Sequence, residues 1–113
     1  MRRLVLAAVL TAVVASGCAW GRLADCESDG RWHIDAFHDG GLQFHPDTWT
    51  AYVAKGKPYE LVGFPNHAHE ATALQQIVVA RRVRDGVPGS SDPFLNAQGY
   101  GAWPSCARRL GLL

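Results

Sequence analysis

The segment WGRLADCESDG, residues 20–30, has the apolar spacing of a short helix that ends close to a glycine. Trp20 and Leu23 are three residues apart, and Glu27 follows Leu23 by four and Trp20 by seven, so all three share one helix face. Gly30 stands where a glycine at C′ commonly ends a helix. The segment therefore predicts a helix that carries a carboxyl group on its apolar side.

Two effects are expected to raise the pKa of Glu27. Burial against apolar side chains disfavours the charged carboxylate, and the negative end of the helix dipole repels an anion. A raised pKa suits a general acid that works near neutral pH. An ordinary surface glutamate in a frayed last turn, or one that makes a structural hydrogen bond, fits the same position, and helix geometry does not choose between these readings.

Residues 1–19 have the composition of a signal peptide. Arg2 and Arg3 precede an apolar run, residues 4–15, that is shorter than the roughly 20 residues needed to cross a bilayer. The run has no polar face, which argues against a helix of the fold. We therefore expect an exported protein, secreted or associated with the cell wall, with a single domain at residues 20–113.

Cys18 follows the small residues Ala-Ser-Gly, as in a lipoprotein signal that would cover residues 1–17. It is thus a candidate lipidation site, and lipid on Cys18 would anchor the chain to the outer face of the membrane. The alternative is ordinary signal cleavage after Gly17 or Ala19. The residues leave both readings open.

Three cysteines in an exported chain indicate one disulfide and one cysteine with another role. Cys26 and Cys106 lie at opposite ends of the expected domain and form the natural pair. In the chain-entropy model, closing a loop of about 80 residues stabilises the fold by roughly 4–5 kcal/mol. A domain of this size, with a modest core, would benefit from that constraint.

The charge of the expected domain gives no basic surface for nucleic acid. Without Arg2 and Arg3 the chain has 9 Lys and Arg, from 11 − 2, against 10 Asp and Glu, which leaves about −1. Binding of nucleic acid or of anionic lipid headgroups would need clustered positive charge. A neutral polymer or a small molecule is the easier partner.

The rest of the domain reads as mostly helical, with at most a small sheet. Residues 40–44, GGLQF, suit a short strand or a tight turn, and Pro46 can begin a helix that runs to about Ala54. Thr72 and Gln75 form a capping-box pattern ahead of a third helix. Its apolar stripe consists of Ile77, Ala80 and Val83. Arg81 and Arg82 lie on the opposite, polar side. A last short helix closes the chain.

Four separated stretches carry a family resemblance: WGRLADCESDGRWHI, GGLQFHPDTW, QQIVVARRV and QGYGAWPSCARRLGL. In this order they resemble the catalytic domain of the resuscitation-promoting factors, which is transglycosylase-like and belongs to the lysozyme superfamily. The resemblance implies a compact, lysozyme-like domain, mainly α with a small β element, and a groove that binds a glycan strand. It also implies a muralytic enzyme without a cofactor.

The resemblance assigns roles to particular residues. It implies that Glu27 is the essential acid and that Cys26–Cys106 is the family's disulfide. Gln43 and Thr48 match positions that line the groove, although Gln43 could instead stabilise a turn and Thr48 could lie on a helix surface. The implied reaction is cleavage of the β-1,4 bond between N-acetylmuramic acid and N-acetylglucosamine in peptidoglycan.

Three tryptophans could stack on a sugar ring, and core packing is the expected role of two of them. We choose Trp32 for the groove because it is close to Glu27 in the sequence, which leaves Trp49 and Trp103 for the core.

The sequence departs from the family pattern in two places. Residues 35–39, DAFHD, are about two residues shorter than usual and lack the family's glycine and tyrosine residues, which alters the groove wall near Phe37 and His38. Asp39 could supply a second carboxylate, but capping a loop is its expected role. The segment at residues 85–97 is about ten residues longer than usual, and a surface loop is expected there.

Other classes of protein have weaker support. The five histidines include the pair His67 and His69, yet no zinc-type spacing with cysteine is present, so no metal is expected. A glycan-binding or signalling module with little turnover is the main rival, and hydrolysis in the manner of lysozyme is a third possibility. The expected partner is the glycan strand of peptidoglycan, and the resemblance adds a cell-wall endopeptidase. We expect a monomer.

Overall fold

The computed structural model describes residues 18–113, and the predicted signal up to residue 17 lies outside them. Four α-helices span Ala19–Ser28 (α1), Pro46–Val53 (α2), Ala73–Asp85 (α3) and Pro104–Arg109 (α4). Short 3-10 helices span Ala68–Glu70, Pro93–Leu95 and Gly99–Ala102. About half of the described chain is helical, which confirms the mainly α prediction. Within residues 18–113 no helix has the length and hydropathy needed to span a membrane.

The β element consists of one antiparallel bridge between Asp39 and Phe44. The Asp39 N–H donates to the Phe44 carbonyl at 2.8 Å, and the Phe44 N–H donates back at 2.9 Å. The residues between them form a tight turn in which Gln43 has a φ of 55°. The GGLQF stretch is thus a turn closed by a bridge, which is the second of its two predicted forms.

Helix α1 begins at Ala19, one residue before the predicted Trp20, and ends at Ser28 as predicted. The Cys18 sulfur accepts from the Gly21 N–H at 3.4 Å and caps the first turn. At the other end Asp29 takes the left-handed conformation, with a φ of 56°, where the sequence had suggested Gly30. Aspartate tolerates this conformation better than most residues. Gly30 follows with a φ of 73°, and its N–H bonds the Ala24 carbonyl at 3.1 Å.

Helix α3 has the predicted capping box and buried stripe, but Arg82 differs from the prediction. The Thr72 hydroxyl accepts from the Gln75 N–H, and the Gln75 side chain accepts from the Thr72 N–H. Arg82, expected on the polar side, is half-buried and donates to the carbonyls of Tyr52 and Tyr59 at 3.0 and 2.7 Å. Its long apolar stem allows burial while the guanidinium holds the end of α2 and the loop that follows.

The disulfide between Cys26 and Cys106 joins α1 to α4, as predicted, with 5.8 Å between the Cα atoms. The two helices are the first and last of the described chain. The core is built from aromatic and aliphatic side chains of all four helices, among them Trp20, Leu23, Trp49, Tyr52, Val79, Val83, Trp103 and Ala107.

The long segment at residues 85–97 runs along the surface, as predicted, but two of its side chains are buried. Val87 and Leu95 are each 6% exposed, and the Val87 N–H donates to the Leu95 carbonyl. The segment therefore folds back on itself and fixes its ends against the core, while Phe94 at its far side is 82% exposed.

A buried glutamine holds three separate parts of the fold together. The Gln76 side chain, with no exposed surface, accepts from the Gly41 N–H at 2.9 Å. Its amide nitrogen donates to the carbonyls of Trp32 and Ala71 at 2.7 and 3.1 Å. A Cβ on Gly40 would lie 2.5 Å from the Gln76 Oε1, so only glycine fits this close approach.

We expect Gln76→Met to lower the free energy of unfolding by about 2–3 kcal/mol, because it leaves buried backbone groups without their side-chain partner. Chemical denaturation would measure this. Arg81→Met is the matched control, since Arg81 is exposed on the same helix. Equal stability of the two variants would contradict a role for the Gln76 amide in holding the fold.

Candidate active site

Glu27 lines a surface depression of about 300 Å³ next to the disulfide. Its other walls include His38, Gln43 and the segment from Ala102 to Cys106. Glu27 itself is half-buried at the end of α1. No second carboxylate contributes to this depression from the described residues. The site therefore offers one carboxyl group to a bound molecule.

Burial raises the pKa of the Glu27 carboxyl above its ordinary value, and the imidazole of His38 lowers it to a smaller extent. Removal from water is the larger cause, because it disfavours the carboxylate more than the nearby imidazole favours it. The direction agrees with the sequence expectation. A carboxyl group of this kind keeps its proton to a higher pH than an exposed glutamate.

A second depression, of about 150 Å³, adjoins the first and shares His38, Gln43, Ala102 and Trp103 with it. Thr48 and Gln98 also line it. Of the residues predicted to bind substrate, Gln43 lines both depressions and Thr48 lines the second one. The two depressions present amide, hydroxyl and imidazole groups beside apolar surface from Phe44, Val83 and Trp103.

The turn that carries Gln43 is fixed to α1 by the serine that follows Glu27. The Ser28 hydroxyl is buried and lies 2.9 Å from the Gly41 carbonyl and 3.1 Å from the Ala24 carbonyl. The Gln43 amide nitrogen donates to the Gly40 carbonyl at 2.9 Å, so Gln43 stabilises the turn as well as lining both depressions. The Ser28 hydroxyl therefore ties the turn of Gln43 to the helix that carries Glu27.

The tryptophans divide between core and surface. Trp49 and Trp103 are buried, as predicted, and each indole N–H donates to a backbone carbonyl at 2.9 Å. Trp32 is partly exposed, but it lines a separate depression of about 690 Å³ with Arg31, His33, Ile34 and Thr72. The structure does not bring Trp32 into the depression that contains Glu27, and its contact with substrate stays a prediction.

Asp39 lies outside the depression of Glu27 and contacts His69. The Asp39 carboxylate accepts from the His69 N–H at 3.1 Å, and its two oxygens lie 2.9 and 3.0 Å from the His69 Nδ1. Asp35 is 3.7 Å from the same nitrogen. One atom that could ligate a metal from each of these three side chains lies within 4.8 Å of the other two. The contacts between His69 and Asp39 are those of a histidine hydrogen-bonded to a carboxylate. The absence of a metal stays a prediction.

His38 and Gln98 line the depressions, although neither was predicted to bind substrate. His38 borders both of them, and its ring lies 5.2 Å from Phe37 and 6.2 Å from His45 between centroids. Gln98 is placed by its N–H, which donates to the Val83 carbonyl, and by its amide, which donates to the Tyr52 hydroxyl at 2.9 Å. The available signal for Gln98 was its place as the first residue of the stretch QGYGAWPSCARRLGL, which resembles the family.

A family model described as a transglycosylase-like domain matches residues 14–106. The chain belongs to the transglycosylase-like domain family. Among curated proteins it is similar to resuscitation-promoting factors. It is 41% identical to Rpf1 of Corynebacterium glutamicum over 90% of this chain and 45% of that protein. It is 39% identical to Rpf2 of the same species, over 90% of this chain and 23% of that protein. It is 37% identical to RpfC of Mycobacterium tuberculosis, over 90% of this chain and 61% of that protein.

The family resemblance read from the sequence is therefore confirmed. The match of the transglycosylase-like domain includes Glu27, the turn at residues 40–43 and both bridged cysteines. The chain spans 23% to 61% of the length of the three relatives.

Proposed function

We propose that this transglycosylase-like domain cleaves the glycan strand of peptidoglycan at the β-1,4 bond between N-acetylmuramic acid and N-acetylglucosamine. The observation that carries the proposal is Glu27, a half-buried carboxyl group with a raised pKa that lines a depression beside Gln43. The similarity to resuscitation-promoting factors supports the choice of substrate.

Glu27 is the general acid in the proposed reaction. Its carboxyl proton passes to the bridging oxygen as the bond from that oxygen to C1 breaks, and the electron pair of the bond leaves with the oxygen. The sugar ring is left with oxocarbenium character. The resulting Glu27 carboxylate, only partly exposed to water, interacts favourably with the positive charge that develops at C1.

The second half of the reaction requires a nucleophile at C1. Glycosidases commonly use two carboxylates, and the depression of Glu27 has one from residues 18–113. We therefore propose that the C6 hydroxyl oxygen of the same sugar attacks C1 and that its proton returns to Glu27. The product is a 1,6-anhydro end, no water is consumed, and the enzyme is a lytic transglycosylase.

Gln43 and Thr48 are proposed to hold sugar substituents. They line the smaller depression, whose groups from Gln43, Thr48, His38 and Gln98 can form hydrogen bonds with hydroxyl and N-acetyl groups. Because the depression adjoins that of Glu27, a sugar bound there would lie next to the scissile bond. Trp32 would contact the strand only at a site further from Glu27.

Mass spectrometry of the fragments released from purified peptidoglycan tests this proposal. Anhydro-forming cleavage gives fragments one water lighter than hydrolysis gives. We expect the lighter species to predominate. If the fragments instead contain the added water, the enzyme is a hydrolase with Glu27 as its acid and not a transglycosylase.

A glycan-binding or signalling module with little turnover is the second candidate. The observation that favours it is the shortened segment at residues 35–39, where Phe37 and His38 are exposed beside the site. Binding to insoluble peptidoglycan without release of soluble fragments would establish this alternative.

Export, a lipid on Cys18, a monomeric state and a cell-wall endopeptidase partner remain proposals that accompany this function. The similarity to resuscitation-promoting factors supports action at the cell wall. Cys18 has no disulfide partner among the described residues and lies at the start of α1, half-buried, with its sulfur bonded by the Gly21 N–H.

A further inference from the structure

Asp39 and His69 connect two segments that are far apart in the sequence. The Asp39 side chain is only 10% exposed, and it bonds both the backbone N–H and the Nδ1 of His69. His69 belongs to the 3-10 helix Ala68–Glu70, which precedes α3. The contact therefore ties the segment before the GGLQF turn to the start of the α3 region.

The position of Asp39 gives this contact a consequence for the site. Asp39 pairs with Phe44 through two backbone hydrogen bonds, and these close the turn that carries Gln43. His38 comes directly before Asp39, and both His38 and Gln43 line the depression of Glu27. Whatever holds Asp39 thus holds one wall of the candidate site.

We propose that Asp39 and His69 are a positioning pair, a proton-dependent clasp that holds the wall carrying His38 and Gln43 in the shape that binds glycan. The proposal rests on the proposed function for its ligand. Neither residue contacts the sugar in this account, because Asp39 and His69 face a separate cavity of about 380 Å³ with Asp35 and His67.

The carboxylates that face His69 favour its protonated form, and burial opposes it to a smaller extent. The hydrogen bond to Asp39 is the main reason that its pKa is raised, with further contributions from the Asp35 and Glu70 carboxylates. The ring of His67 stacks on that of His69 at 5.7 Å, and the His33 ring bonds the His69 carbonyl.

The direction of the pH dependence follows from these contacts. Because the pKa of His69 is raised in the folded state, the clasp is complete below the ordinary histidine pKa of about 6.5. It weakens as the pH rises through the pKa of the folded state, since neutral His69 bonds a carboxylate less strongly. We therefore expect the wall to loosen on the alkaline side.

Glycan affinity can be measured without interference from the titration of Glu27. The Glu27→Gln background removes that carboxyl group, and the β-1,4-linked tetramer of N-acetylglucosamine is the probe. We expect its Kd to rise about three- to tenfold from pH 5.5 to pH 8, the range of one charge-assisted hydrogen bond at a partly exposed site. Adding His69→Gln should give the weaker Kd at every pH, and adding His67→Gln should keep the original profile.

Hydrogen exchange at the Phe44 amide supplies a readout independent of glycan. Its protection factor should fall with rising pH in the unmutated protein and should be low and nearly constant in His69→Gln. If His69→Gln keeps the original pH profile of protection, the clasp is overturned. A pH dependence abolished by EDTA would also overturn it, because a bound cation would then hold the segments together.

Failure of the clasp and failure of the proposed function can be told apart. Absence of glycan cleavage by the unmutated protein rejects the proposed enzyme, while exchange at Phe44 still decides whether Asp39 and His69 hold the wall. If the protein cleaves glycan but His69→Gln leaves the Kd unchanged, only the positioning role of Asp39 and His69 is rejected.

Discussion

Glu27→Gln is expected to lower the rate of peptidoglycan cleavage by about a hundred- to ten-thousandfold, the usual range for loss of a general acid. Glutamine keeps the shape of the side chain but has no proton to give to the bridging oxygen. Glycan binding should survive, since Gln43 and Thr48 are unchanged. Release of soluble fragments from purified peptidoglycan measures the rate, and binding to the insoluble polymer measures the second effect.

Asp25→Asn is the matched control for this substitution. Asp25 is an exposed carboxylate on α1 and does not line the depression of Glu27. We expect it to cleave within about twofold of the unmutated protein, as for surface changes away from a site. If both variants lost activity equally, the loss would come from a general disturbance of α1 and not from the missing acid.

The stability of Glu27→Gln supplies a further check. Because the pKa of Glu27 is raised in the folded state, its contribution to stability is present below the ordinary glutamate pKa and is lost as the pH rises through the folded value. At pH 7 the neutral amide should therefore leave the melting temperature unchanged or raise it. A large fall in melting temperature would mean that lost activity reflects unfolding.

Removal of the disulfide is expected to have the largest effect on stability. The bond joins residues 80 apart, and the Cys26→Ser, Cys106→Ser double variant should lower the free energy of unfolding by about 4–5 kcal/mol. That is a large part of the roughly 5–15 kcal/mol that a domain of this kind possesses. Chemical denaturation measures it, provided that folding is two-state.

Cys18→Ser is the control for the cysteine variants, because Cys18 forms no disulfide in the described chain. It should cost about 1 kcal/mol or less, since a serine oxygen can also cap α1. A double variant as stable as Cys18→Ser would contradict the structural importance of the Cys26–Cys106 bond.

The sequence was a good guide to the helices because their signals are local. The capping box at Thr72, Pro46 at the start of α2 and the apolar spacing from Trp20 each act within a few residues. Asp29 rather than Gly30 is the first left-handed residue after α1, and the sequence pattern could not predict this because both residues can adopt that conformation.

The site was predicted less completely because it depends on contacts between distant segments. Gln76 bonds Gly41, which is 35 residues away in the sequence, and Asp39 bonds His69, which is 30 residues away. Nothing in the local pattern marks either pair. Trp32 shows the same limit, since its nearness to Glu27 in the sequence did not place it in the same depression.

In the proposed reaction Glu27 gives its proton to the glycan, and a titration tests this role most directly. Carbon-13 NMR of labelled Glu27 gives the pKa of its carboxyl group, and the pH dependence of kcat/KM gives the pKa of the group that must be protonated. We predict one value from both measurements, above the ordinary glutamate value of about 4.3. A Glu27 that titrates at or below that value while kcat/KM stays constant through it would contradict the account.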